Sequence, residues 1–395
     1  MINKIKYIAI ELYILLAVVF LERSYLEVCS ILFICIVLAC TLVNAGNQYG
    51  RKVSKDTFIG IILLSISLII IISFSKWSCS NTIMVYAFLI LAYLEFGYGE
   101  TGIQSLSIQK YFDFVFAVGL LIYWLIAAIQ NISDYSLFIL PAAWDKNYTG
   151  ITIFLMLVYF YKRKSLIGIL SCIPYVFTLN SRLFQLCVCL IIILTWGLDF
   201  FVKHRFLKRD SAFFHLKTRV IFLIILISTI AMMVVSVIWT TRISNNVVNT
   251  YQSSLNDTSN AIRTRSNIYA MFLISTDRDL LFYGYDDDIK QVLGVEDENS
   301  ATLFAGYRLV QPHNFLLNLW LKHGMIFSIV YIYLISRLIS LYWKKENIPL
   351  LITYLVANMV MHSLLSTTYL LLFFFVICTK EKNFIGYKIG LRGQI

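Results

Sequence analysis

Long apolar runs free of charge alternate with short polar breaks along most of the chain, and one polar interval interrupts them. Segments such as FIGIILLSISLIIIISF (58–74) and VIFLIILISTIAMMVVSVIW (220–239) carry no charged residue. They match the roughly 17–25 residues that a membrane-spanning helix needs. Reading each run between its breaks predicts spans at 5–21, 26–43, 57–74, 82–97, 112–129, 148–161, 165–179, 183–202, 219–240, 313–340, 348–361 and 366–378. The sixth is short and the last two could form one bent span, so twelve spans are expected, with ten or eleven as alternatives. The predicted fold is an all-α polytopic transmembrane bundle. It divides into residues 1–240 with nine spans, an external segment over 241–312, and residues 313–395 with three spans and a tail.

Composition supports this reading. Hydrophobic residues make up 59% of the 395 and charged residues 14%, against about a quarter charged in soluble domains. Mean hydropathy is +0.77, too apolar for a chain that must cover its own surface in water. The first segment has the basic start of a signal peptide but lacks a small-residue cleavage site, and reads as an uncleaved first helix. The eight cysteines fall mostly inside spans, as buried small hydrophobes do, and not in a disulfide or zinc pattern.

Charge then orients the spans. One set of breaks collects 22 of the 33 Lys and Arg, including Arg51, Lys52, Lys55, Lys162–Lys164 and the cluster over 203–219. By the positive-inside rule this side is cytoplasmic, which also places both termini inside. The net charge of +11 is therefore a topology signal with some attraction to anionic lipid, and gives no reason to expect nucleic acid. Neither a GxxxxGK[ST] nor a GxGxxG phosphate loop is present.

The polar interval 241–312 is 72 residues long and holds nine of the 22 acidic residues, among them Asp277, Asp279 and Asp286–Asp288. An interval of this length without structure is uncommon unless it is functional. Its first half, TSNAIRTRSNIYAMFLIST, predicts a helix capped near Ser259 or Asn260. Ile262, Arg265, Tyr269, Phe272 and Leu273 would share one face, as in an amphipathic helix at a membrane surface. GYDDDIKQVLGVEDENS reads as a solvated loop.

Candidate chemistry gathers at the edges of this interval. His313, one of five histidines, opens a span directly after Pro312, which suits a first helical turn. It is either a wet helix end or a proton acceptor. Asn314 and Asn318 would stack on one face, for a neighbouring helix or for a substrate. His323 would sit about 15 Å deeper than His313 in one continuous span. Arg263 and Arg265 lie within a turn of each other, either snorkelling to headgroups or clamping a phosphate through guanidinium forks. Arg182 opens another span on the same side, Arg308 precedes the histidine, and Lys322 should face a cavity or a partner. Arg182, Arg263, Arg265, Arg308 and His313 together form an inventory that could hold an anionic leaving group while an imidazole handles a hydroxyl proton.

These motifs resemble a known family. Ser181-Arg182 opens an apolar span, and Arg265, Ile268 and Tyr269 form an R-x-x-I-aromatic helix start after it. His313, Asn314, Leu317 and Gly324 give HN-x-x-L-x-x-x-x-x-x-G, and His362-Ser363 lies in the final turn. The pattern is similar to the bacterial O-antigen polymerase and O-antigen ligase superfamily. Its motif content spans about 180–375, and a second glycine common in the family is here Ser328. The resemblance implies a membrane glycosyltransferase of GT-C-like type in the bacterial inner membrane, using an undecaprenyl-diphosphate-linked oligosaccharide with neither metal nor cofactor. It assigns donor-diphosphate binding to Arg265 and activation or positioning of the acceptor hydroxyl to His313. Arg182 and Arg263 join them as helpers on position alone, and Arg308 and Asn314 complete the expected substrate contacts. A polymerase that joins lipid-linked repeat units on the periplasmic face is the expectation, with a chain-length regulator and a flippase as possible membrane partners. The alternatives are a ligase that transfers polymer to lipid A-core, and a lipid-linked oligosaccharide flippase or transporter.

Overall fold

The computed structural model describes residues 55–75, 79–97, 106–132, 146–179, 181–204, 212–214, 216–246, 258–285, 312, 314–361, 364–366 and 368–379, with a few helical residues between 8 and 40. Among the described residues every regular element is helical. Numbered from the first helix described end to end, they are α1 (Lys55–Phe74), α2 (Ser80–Phe96), α3 (Leu106–Ile132), α4 (Lys146–Arg163), α5 (Leu166–Thr178), α6 (Arg182–Lys203), α7 (Thr218–Asn246), α8 (Thr258–Thr276), α9 (Arg278–Tyr283), α10 (Phe315–His323), α11 (Met325–Leu341), α12 (Ile348–Val360) and α13 (Thr368–Cys378).

Helices Lys55–Phe74 and Arg182–Lys203, and the stretch Thr218–Val235 of α7, are long and apolar enough to cross a membrane. Their outward faces carry exposed Ile62, Ile66 and Ile69 on α1 and Ile193 and Trp196 on α6. Water would penalise such a surface and hydrocarbon would not. Expected spans one and two fall almost wholly outside the described residues.

Polar ties fix one end of the bundle, here called the basic end. Arg337 of α11 donates to Thr57 and Asp56 at the start of α1. The Tyr342 hydroxyl donates to the Phe96 carbonyl at the end of α2. Lys162 donates to Asn347 Oδ1 and to the carbonyls of Val376 and Ile377, capping the end of α13. Thr218 of α7 meets Ser340 of α11 at 3.0 Å, and Lys345 pairs with Asp199 of α6. Close approach seals the packing: a Cβ on Gly60 of α1 would stand 2.7 Å from Leu334 of α11.

The expected span 313–340 is not one helix. It breaks at Gly324, whose φ of +73° ends α10 and starts α11. Depth along the helices shows what the break does. Gly324 is roughly 24 Å from Ser340 along α11, whereas Thr229 is only roughly 16 Å from Thr218 along α7. Asn314, at the start of α10, donates to the Thr229 carbonyl, so α10 begins in mid-bundle and climbs away from the basic end to the reversal at Gly324. His323 is accordingly not deeper than Asn314 at the start of α10 but farther from the basic end, where its Nδ1 lies 2.8 Å from Thr82 Oγ1 near the start of α2.

The helix expected near Ser259 exists as α8, with a different buried face. Ser266, Asn267, Tyr269, Ala270 and Ile274 are buried, while Phe272 is 54% exposed. Tyr269, Ala270 and Ile274 pack on Leu317 and Leu321 of α10, so protein and not lipid covers this face. Burial also raises the pKa of the Tyr269 phenol.

Candidate functional site

Several helices are shorter than a full membrane crossing. Helices α5 and α12 have 13 residues each and α13 has 11, or roughly 20, 20 and 16 Å at the usual rise. A hydrocarbon core is about 30 Å thick. These helices therefore end within the apolar thickness, and a belt of polar contacts at their ends, on the side away from the basic end, forms a floor.

Tyrosine hydroxyls hold the turn between α12 and α13 in that floor. Tyr331 of α11 donates to the Leu365 carbonyl at 2.7 Å. Tyr354 of α12 donates to the carbonyls of Leu364 and Tyr369 at 2.7 and 3.1 Å. Both tyrosines are fully buried, so backbone carbonyls that would be costly to leave bare in an apolar interior are satisfied from within. His362 and Ser363, between α12 and α13 in sequence, lie outside the described residues.

Arg182 opens α6 on the same floor. Ser181 caps the helix by accepting from the Phe184 amide at 3.3 Å, and its hydroxyl donates to Asn147 Oδ1 at 3.1 Å. Asn147 is roughly 22 Å from Lys162 along α4, which sets the height of the floor. The Arg182 side chain is exposed. Helices α4, α6 and α13 all begin at this level, and the positive ends of their dipoles favour anions there, although α5 and α12 end at it with the opposite sign.

Asn314 marks where α10 enters. Its Oδ1 accepts from the Leu317 amide at 3.1 Å, capping the helix, and Pro312 and Asn314 are both buried. Helix α12 packs against α6, α7 and α10, the helices that Arg182 and Asn314 open among them. Near the end of α12, Asn358 is 3% exposed, and its Oδ1 has no hydrogen-bond partner among the described residues. Such an acceptor costs roughly 1–3 kcal/mol if left unmet.

Of the residues expected from sequence, Arg182 and Asn314 are described with their side chains. Arg263 and Arg265 are placed by backbone on the first half of α8, Arg265 one turn before the buried Tyr269, and their side chains lie outside the described residues. His313 and Arg308 also lie outside them. Lys322 is half-buried at the far end. Among the described residues no three His, Cys, Asp or Glu side chains gather as a metal site would require.

Sequence reasoning did not single out Thr229, Asn358, or Tyr331 and Tyr354. A tyrosine in an apolar run reads as neutral, and only the tertiary contact shows the hydroxyls of Tyr331 and Tyr354 meeting carbonyls. Comparison of the chain with family models, with curated proteins and with solved structures finds no match.

Proposed function

We propose that the protein is a membrane-embedded glycosyltransferase that extends one lipid-linked repeat unit with another, as an O-antigen polymerase does. The observation that carries this reading is the polar makeup of the far end. An exposed arginine, Arg182, lies on its polar floor, and the helix that follows His313 starts from mid-bundle, pinned through Asn314 to Thr229. A lipid-linked donor can keep its tail in the bilayer while its diphosphate and sugar approach this polar floor.

In the proposed reaction, Arg265 and Arg182 hold the diphosphate of the donor. His313 takes the proton from the acceptor hydroxyl as its oxygen attacks the anomeric carbon. The bond from that carbon to the phosphate oxygen breaks, and the diphosphate leaves with the electron pair, its charge held by guanidinium donors. Arginine's planar fork suits this task better than a point charge. Asn314 sets the backbone beside the imidazole, and the buried Asn358 acceptor near the end of α12 receives a sugar hydroxyl.

The test is reconstitution of the full chain in vesicles with a synthetic undecaprenyl-diphosphate-linked repeat unit as both donor and acceptor. A ladder of lengthened products is expected, and it is lost in His313→Ala and Arg265→Ala. In cells lacking the protein, core bearing a single repeat unit marks a polymerase. Bare core with accumulated lipid-linked polymer would instead mark a ligase, and single units retained on the inner leaflet a flippase. Normal ladders from His313→Ala at unchanged protein levels would sink the site assignment.

A further inference from the structure

Two glycines distant in sequence meet backbone to backbone at the far end of the bundle. Gly284 closes α9 and Gly324 separates α10 from α11, with φ of +75° and +73°. A Cβ built on Gly284 would stand 2.5 Å from the amide nitrogens of His323 and Gly324. One built on Gly324 would stand 2.1 Å from the Phe282 carbonyl oxygen. The obstructing atoms are backbone and cannot swing aside, and positive φ disfavours any other residue type. Neither position accepts a side chain unless the two segments part.

Three further contacts surround the crossing. The Tyr285 amide donates to the Leu321 carbonyl at 2.7 Å, and Trp320 Nε1 donates to the Leu281 carbonyl at 3.1 Å. The Tyr283 ring stacks on Phe74 of α1, with centroids 6.0 Å apart. Beneath it, α1, α9 and α11 enclose an apolar cleft of about 120 Å³ that includes Ile71, Phe282 and Phe327. The buried faces of α8 and α10 pack together close by.

We infer that Gly284 and Gly324 are positioning residues whose crossing fastens the α8–α9 unit, and with it the turn that bears Arg265, onto α10, the helix that His313 and Asn314 open. What is positioned rests on the proposed function; the fastening itself does not. Groups brought from separate segments must be held to about 0.5 Å. Helices α8 and α9 reach α1, α7, α10 and α11 through side-chain packing, whereas at the glycine crossing backbone meets backbone with no room for a side chain. The crossing is where their hold can be broken while the bundle stays intact.

The test uses the full-length protein in native membranes, with its own cysteines replaced and a short bis-thiol reagent as probe. One pair, Phe74→Cys with Tyr283→Cys, reports the fastening. A second, Phe222→Cys with Tyr333→Cys, replaces rings whose centroids are 6.2 Å apart between α7 and α11, and reports the bundle. Both pairs cross-link when the glycines are intact. Gly284→Ala lowers the first yield about tenfold, as local opening would, and leaves the second unchanged. Without the cysteine pairs, Gly284→Ala lowers kcat for repeat-unit transfer about 100-fold, the effect of a small misplacement, and changes the donor KM far less.

A first cross-link that survives Gly284→Ala overturns the inference, as does its loss with full kcat retained. If Gly284→Ala loses both cross-links, Trp320→Phe decides, because it removes one hydrogen bond of the same junction. A fall confined to the first pair then supports the fastening, and no change overturns it. If the unaltered chain makes no polymer, the functional reading falls, while the cross-linking still decides whether the glycines fasten the segment.

Discussion

Asn314 makes two hydrogen bonds of 3.1 Å with one side chain, Nδ2 donating to the Thr229 carbonyl and Oδ1 accepting from the Leu317 amide. It thereby caps α10 and pins that helix to the middle of α7. Asn314→Ala should lower stability by about 1–2 kcal/mol, the value of a lost cap, measured as thermal unfolding in detergent. Asn314→Asp keeps the cap but sets a carboxylate against the Thr229 carbonyl. It should therefore retain part of the stability and still lose chain elongation. Full elongation by Asn314→Asp would show that the tie to α7 does not matter to the reaction.

Arg182 is exposed, so its removal should leave the fold unchanged. On the proposed mechanism, Arg182→Ala raises the donor KM by about tenfold, equivalent to roughly 1.4 kcal/mol. Arg182→Lys falls between, because an ammonium cannot bond two phosphate oxygens through a planar fork. Steady-state kinetics with a lipid-linked donor would check this, and an unchanged KM for Arg182→Ala would remove the residue from the site.

Asn358 separates a structural role from a binding role. If its buried Oδ1 serves only the fold, Asn358→Leu should stabilise the protein or leave it unchanged, because an unmet acceptor is removed, and transfer should persist. The binding role predicts the same thermal behaviour with transfer reduced. Paired melting and activity measurements on the one variant distinguish the two.

At the basic end, Arg163 donates to both carboxylate oxygens of Asp113, with a closest approach of 3.0 Å and side-chain exposures of 4% and 14%. Tyr159 also donates to that carboxylate. Removing one partner strands a buried charge, so Asp113→Ala should cost about 3–5 kcal/mol. The double variant Asp113→Leu with Arg163→Met should recover most of that loss and keep transfer activity. Equal instability of the single and double variants would argue against an ion-pair explanation.

The two tyrosines of the floor should differ in cost. Tyr331→Phe loses a hydrogen bond to one carbonyl, at about 1 kcal/mol, and Tyr354→Phe loses one shared between two carbonyls, at about 1–2 kcal/mol. Amide exchange over 364–369 should rise in both, and more in Tyr354→Phe.

Most of the bundle was legible because its helices are written in uninterrupted apolar runs with polar ends. The bounds of α4, α5 and α6 fall within two residues of expectation, and Ser165 and Ser181 cap α5 and α6. The reversal at Gly324 was not legible. A single glycine in an apolar run is compatible with a continuous helix, and the turn is imposed by the α9 backbone crossing above it. The buried face of α8 was misjudged because it includes Ser266 and Asn267, which hydropathy assigns to water, and leaves out Phe272, which hydropathy assigns to the interior. Gly284 and Tyr285 were read as the start of a solvated loop, whereas both are buried. Their partners lie some forty positions away, beyond the reach of local pattern.

Helix α10 is covered on two sides, with Phe315, Leu316 and Leu319 in the main core and Leu317 and Leu321 against α8. Its ends are fixed at Asn314 and at Gly324. The interval between those two residues therefore works as a ruler. One inserted residue would turn every later side chain by about 100° and carry both contact stripes off their partners. The spacing between the HN pair and its glycine is a measured length in this molecule, and an insertion there should be tolerated less well than almost any single substitution within it.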